Sequence, residues 1–218
     1  MHNSLNRTLR RSLLALALAA CSAVAAADTM HVVFDTTSFG SPADDGWLDL
    51  QFNPSSAAAV SASATLSNLT GFDSTQLAQI AGDVQGSLAS GYTINNTTAW
   101  NDLFQAVHLG GKVGFDISFS GAADPSSNLK YSVFGATLFD NQGDLLGNGD
   151  ANGTLLSISW LPSATAGQPG TASATVLDAG TVSVSAVPEP SSWLMLGAGL
   201  MLVGALARRR PQGSARAV

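Results

Sequence analysis

Val113-Gly114-Phe115-Asp116-Ile117-Ser118-Phe119 sets apolar side chains at every second position. Successive residues of a strand point to opposite faces, so Val113, Phe115, Ile117 and Phe119 share one face and Asp116 and Ser118 share the other. A helix would scatter the same residues around its axis. The stretch therefore reads as a strand with one dry face and one wet face, the pattern of an antiparallel sheet over a core. Just before it, Gly110-Gly111-Lys112 reads as a hairpin turn from Ala106-Val107-His108-Leu109.

Other segments repeat the pattern in both directions along the chain. His31 to Phe34, Trp47 to Phe52, Val60 to Leu69, Tyr131 to Phe139, Leu155 to Trp160, Thr171 to Leu177 and Thr181 to Val187 all read as strands. Asn53-Pro54, Pro162 and Asp178-Ala179-Gly180 punctuate them. Turn signals recur every ten residues or so, which predicts an all-β domain over residues 28–186, an antiparallel and jelly-roll-like β-sandwich. One short helix is expected at Ser74 to Gly82, where Leu77 and Ile80 lie three apart.

Charge divides the 218 residues sharply. All seven arginines lie at the two ends, as Arg7, Arg10 and Arg11 and then Arg208, Arg209, Arg210 and Arg216. Between Asp28 and Ala186 stand fourteen aspartates against Lys112 and Lys130, a net charge of 2 − 14 = −12 with histidine neutral. Such a middle cannot neutralise phosphates, so nucleic acid is excluded as a partner. Nine phenylalanines with Trp47, Trp100 and Trp160 supply enough apolar bulk for a core. The one cysteine, Cys21, lies near the N-terminus, so packing must hold the domain without disulfides.

Residues 1–27 read as a secretory signal peptide for the Sec translocon. Three arginines precede the apolar run Leu13 to Ala20, and Ala25-Ala26-Ala27 offers small residues for cleavage between Ala27 and Asp28. Leu18-Ala19-Ala20-Cys21 also resembles a lipobox, which would instead lipidate Cys21. At the other end, residues 187–218 open with Val187-Pro188-Glu189-Pro190-Ser191. The two prolines keep that stretch out of helix and central strand. Trp193 to Ala207 is uncharged, and its 15 residues would span roughly 22 Å as a helix, short of the ~30 Å hydrocarbon core unless flanking arginines snorkel. It is expected to form a single transmembrane helix. Arg208, Arg209 and Arg210 then act as a stop-transfer signal at the head of the basic tail 208–218.

In order and spacing, residues 187–191, 193–207 and 208–210 resemble the PEP-CTERM sorting signal of Gram-negative bacteria. The resemblance implies that Pro188, Glu189 and Pro190 are the motif read by exosortase, a membrane-embedded transpeptidase-like enzyme. It further implies anchoring in the inner membrane before processing, and a final place in the cell envelope or outside the cell, in settings of exopolysaccharide and biofilm. Gly46 to Pro54 and Phe115 to Gly121 resemble stretches of β-rich ectodomains that carry the same tail, a group that brings fold and export but no biochemical role.

Few residues offer chemistry. Asn148, Asp150 and Asn152 resemble the first half of a calcium loop, with Asp140 and Asp144 nearby, but the twelfth position is Ser159 instead of a bidentate glutamate. Calcium is the only cofactor suggested, and a Gly/Asn/Asp turn explains the same residues. Asp35 and Asp44-Asp45 offer carboxylates for an acid–base pair, a role that any chain with fourteen aspartates allows on paper. His31 and His108 lack the further ligands of a zinc site. Trp47, Trp100 and Trp160 could stack sugars, although tryptophan in a small β domain is more often core. The reading expects no enzyme: a structural or matrix-associated surface protein leads, and a glycan- or calcium-binding module follows.

Overall fold

Alternation along Val113 to Phe119 becomes the centre of a long strand. The structure is a computed structural model that describes residues 29–126 and 128–187, together with Gly197 and Met201. Thirteen strands follow one another among the described residues: β1 (Met30–Asp35), β2 (Asp45–Pro54), β3 (Ala62–Thr70), β4 (Gln79–Ala81), β5 (Val84–Ser87), β6 (Gly91–Asn95), β7 (Asp102–His108), β8 (Lys112–Gly121), β9 (Ser132–Asp140), β10 (Leu145–Leu146), β11 (Thr154–Leu161), β12 (Thr171–Val176) and β13 (Val182–Ala186). They make two antiparallel sheets. One runs β13-β1-β8-β3-β6-β5, and the other β12-β11-β9-β2-β7-β4 with β10 on β9.

The sandwich is the expected one. Its winding is visible in the ladders: β1 pairs β8, β2 pairs β7 and β3 pairs β6. A ribbon rolled so that early strands meet late ones in this nested order is the pairing pattern of a jelly roll. The fourth rung departs from it, because β4 pairs β7 while β5 turns back onto β6. Strands β9, β11 and β12 then widen the second sheet.

Phenylalanines join the sheets. Phe34 and Phe115 come from the six-stranded sheet, Phe52 and Phe134 from the seven-stranded one, and all four are fully buried. Phe115 meets Phe134 edge-on at 6.2 Å, and Phe52 meets Phe119 at 5.6 Å. Each buried ring stabilises the fold by ~1.5–3 kcal/mol, and aromatic pairing adds about 0.5–1.5 kcal/mol. Gln105 is one of the buried polar residues: it accepts a bond from the Tyr92 hydroxyl at 3.0 Å and donates to the carbonyls of Asp73 and Gln76. A buried amide is tolerated because it is paired on both sides.

Two local expectations fail. Ser74 to Gly82 is not a helix but a bend leading into β4, where Gln79, Ile80 and Ala81 pair with β7. Two apolar residues three apart cannot outweigh a strand partner, and Asp73 takes the Thr75 N–H and hydroxyl, drawing the chain into a turn. Nor do residues 106–119 form a hairpin: β7 and β8 belong to opposite sheets, so Leu109 to Gly111 arches between layers. Thr36 holds that arch through bonds to the N–H and C=O of Gly111. Gly110 sits at φ 72° against Ser41, where a Cβ would lie 2.5 Å from the backbone.

The signal helix at residues 1–27, with Cys21, and the membrane helix at Trp193–Ala207 lie outside the described residues, save for Gly197 and Met201. Among the described residues no helix is long and apolar enough to cross a membrane.

Candidate functional site

Strand β13 delivers the chain to its sorting segment. It pairs with β1 from Met30↔Ala186 to Phe34↔Val182, and the Val187 N–H donates to the Thr29 carbonyl at 2.8 Å. The chain therefore leaves the sandwich beside the point where it entered. Pro188, Glu189 and Pro190, the stop-transfer residues Arg208, Arg209 and Arg210, and the cleavage residues Ala27 and Asp28 lie outside the described residues.

The calcium candidate forms a turn. Asp150 Oδ1 accepts the N–H groups of Asn152 at 2.9 Å and Thr154 at 3.0 Å, and the Asn148 N–H donates to Asp178 Oδ2 at 2.8 Å. Asp140 Oδ1 likewise takes the N–H groups of Gln142 and Asp144. Among the described residues no three histidine, cysteine or acidic side chains gather as a metal would require. Two of the three carboxylates proposed for an acid–base pair are occupied in the same way, and Asp45 instead faces His108. Asp35 is bound by Thr37, and Asp44 by the N–H and hydroxyl of Ser41. The acidic composition is thus largely a set of turn caps, each carboxylate accepting nearby N–H and O–H donors.

These bonds favour the ionised form and draw the pKa of Asp35, Asp44, Asp73, Asp83, Asp124, Asp150 and Asp178 below 3.8. For Asp178 the Asn148 N–H is the largest cause and the Thr181 hydroxyl, at 2.7 Å, comes next.

The histidines are separate. His31 Nδ1 meets Asp116 Oδ1 at 2.6 Å on the outer face of the six-stranded sheet. Asp116 Oδ2 accepts from Asn68, whose φ of 52° marks the bulge in β3. His108 Nδ1 stands 3.4 Å from Asp45 Oδ1. Of the three tryptophans among the described residues, Trp160 is core at 1% exposure, Trp100 is 55% exposed in a loop, and Trp47 stands on a sheet face.

That face carries a cluster the sequence reading missed. On the outer side of the seven-stranded sheet, Trp47, Asp49, Gln51 and Asn53 line up along β2, beside Asp102 and Phe104 of β7 and Phe139 of β9. Trp47 stacks on Phe104 at 5.0 Å and 4°, and Phe104 meets Phe139 edge-on at 5.8 Å. Gln51 Nε2 donates to Asp49 Oδ2 at 2.7 Å, and Asn53 Nδ2 donates to Gln51 Oε1 at 3.2 Å.

Asp49 and Asp102 are diagonal cross-strand neighbours, since Asp49 lies opposite Phe104 and Asp102 opposite Gln51. Their Oδ1 atoms are both buried without any other partner. A proton kept on Asp49 would satisfy both oxygens. Burial, then the hydrogen bond and charge of Asp102, push Asp49 up to about 7. The alternation of β2 already placed Asp49 in line with Trp47. What the sequence could not give was the register that sets Asp102 beside it.

A family description matches residues 186–210: PEP-CTERM protein-sorting motif. The match begins at the last residue of β13, leaves the rest of the two sheets outside it, and bears out the resemblance read from the tail. It implies export and processing by exosortase. No curated protein and no solved structure matches the chain.

Proposed function

We propose that this chain, which ends in a PEP-CTERM sorting signal, is a non-catalytic structural protein of the cell surface. Its β-sandwich would be the cargo, delivered by exosortase to the envelope or the surrounding matrix, and exopolysaccharide or biofilm would be its setting. The observation that carries the reading is the position of the motif: residues 186–210 begin where β13 ends, so the sorting signal follows the last strand without a linker. Processing there would release the sandwich without cutting any strand. The hydrogen-bonded aspartates support the non-catalytic part, since a carboxylate that caps its own turn is poorly placed for acid–base work. A variant with Pro188→Ala, Glu189→Ala and Pro190→Ala tests the proposal. It should accumulate at full length in the membrane fraction while the wild type is processed, and unchanged processing would sink it.

A second reading is favoured by one feature, the Trp47–Phe104–Phe139 row beside Asp49, Gln51 and Asn53. Aromatic rings next to hydrogen-bonding side chains suit a glycan lying along the sheet, and the surrounding acidity favours neutral or amino sugars over anionic ones. Polysaccharide pull-down with wild type and Trp47→Ala separates the readings. Retention lost with Trp47→Ala supports the glycan site, and no retention by either protein removes it.

A further inference from the structure

We propose that β12 is a self-complementary edge through which two copies of this chain pair, antiparallel, across a two-fold axis at Ser173. Strand β12 ends the seven-stranded sheet, and among the described residues only β11 pairs with it. Its outer edge therefore presents unpaired backbone N–H and C=O groups, which a second strand satisfies best.

Of the four sheet edges, β13 is five uncharged residues that run straight on into the sorting segment, and two others are blunted. β4 has three residues, and β5 has four with Gly86 at φ 116° and Asp83 just before it, so both are blunted by shortness, irregularity or charge. β12 has none of these devices. It is six residues long with no glycine, proline or charge, and residues 151–177 hold no charged side chain in a chain whose middle carries −12. The strand itself therefore brings no like charge to the contact, with Asp178 two residues past its end and Asp124 bonded to Ser163 in the loop before it.

The occupant is specified by the strand itself. Thr171-Ala172-Ser173-Ala174-Thr175 reads the same in both directions. Antiparallel pairing about Ser173 sets Thr171 against Thr175, Ala172 against Ala174 and Ser173 against Ser173. Thr171, Ser173 and Thr175 all lie exposed on the outer face, opposite Leu161, Ser159 and Ser157 of β11. The pairing therefore matches hydroxyl with hydroxyl and methyl with methyl, cross-strand pairs of the stabilising kind. A two-fold contact of this sort is closed, so it makes dimers and not fibres. Six residues pair weakly, and a crowded surface or matrix supplies the concentration.

The test uses the full chain in detergent with Cys21→Ser, which leaves no other thiol. Ser173→Cys places one thiol on the axis, at the 4.4–6.8 Å Cα separation a disulfide needs. Mild oxidation should give a covalent dimer at several times the yield of Ser159→Cys, one strand further in. Ser173→Lys, which sets like charges face to face, should weaken dimerisation by sedimentation about tenfold while leaving the melting temperature unchanged. Equal crosslinking at Ser173→Cys and Ser159→Cys overturns the proposal. So does crosslinking confined to Ser185→Cys, which would move the contact to β13. Sorting does not depend on this edge, so motif processing continues whichever result is found.

Discussion

Replacing Asp49 with asparagine should stabilise the protein above neutral pH and have little effect in mild acid. Asp49 holds its proton up to about 7 in the fold, against 3.8 for an ordinary aspartate. A carboxyl raised in this way adds stability that is full below about 3.8 and is lost as pH rises through about 7. At ~1.36 kcal/mol per pH unit the whole window is worth ~4 kcal/mol. The side chain is only half-buried and keeps part of its hydration, which brings the effect to about 2 kcal/mol. In Asp49→Asn the amide N–H replaces the shared proton toward Asp102, and the remaining oxygen still accepts from Gln51. At pH 8 the substitution should therefore raise the melting temperature by roughly 4–8 °C, on the scale of a domain of about 160 residues. At pH 4.5 folded wild type carries the proton and most of the contribution is back, so the difference should shrink to a small fraction of that at pH 8. Thermal unfolding of both proteins at the two pH values, followed by circular dichroism, measures it. A shift equal at both, or a lower melting temperature at pH 8, would refute the shared-proton account.

Three further outcomes follow from the turns and the core. Asp178→Ala removes the acceptor of the Asn148 and Gly180 N–H groups and the Thr181 hydroxyl from a residue only 8% exposed, and should cost about 2 kcal/mol in urea unfolding. Below pH 4 the wild type should lose stability steeply. Asp35, Asp44, Asp73, Asp83, Asp124, Asp150 and Asp178 have depressed pKa values, so their contribution is present above about 3.8 and disappears as pH falls through those lowered values. A flat acid limb in a melting-temperature profile would contradict it. Gly121→Ala places a Cβ 2.4 Å from the ring of buried Trp160 and should cost ~1–3 kcal/mol, with a changed tryptophan emission spectrum.

Most of the fold could be read wherever period two ran unbroken. β1, β2, β8, β9 and β11 all show it, because each buries one face in the core the two sheets share. Residues 79–95 could not be read that way. β4, β5 and β6 are too short for alternation to emerge, and Gly82, Gly86 and Gly91 break them at positive φ. Between β7 and β8 the sequence showed the strands and the glycines but not the layer each strand joins. A tight glycine turn and a glycine arch look alike until Thr36 arrives from seventy-five residues away to bind Gly111. The same limit hid the Asp49–Asp102 pair, which depends on register between β2 and β7. The tail was legible for a different reason: its signal lies in local order along the chain, from Pro188 to Arg210, and needs no tertiary contact.

Release of the sandwich at the sorting motif is tested most directly with two epitope tags. One is placed in an exposed loop of residues 29–187 and the other after Arg210, in cells with and without exosortase. With the enzyme, the first tag should leave the membrane fraction without the second; without it, both should stay together on one full-length membrane species. If both tags remain on that species in either cell, the chain is not handled as its C-terminal signal indicates, and the account fails.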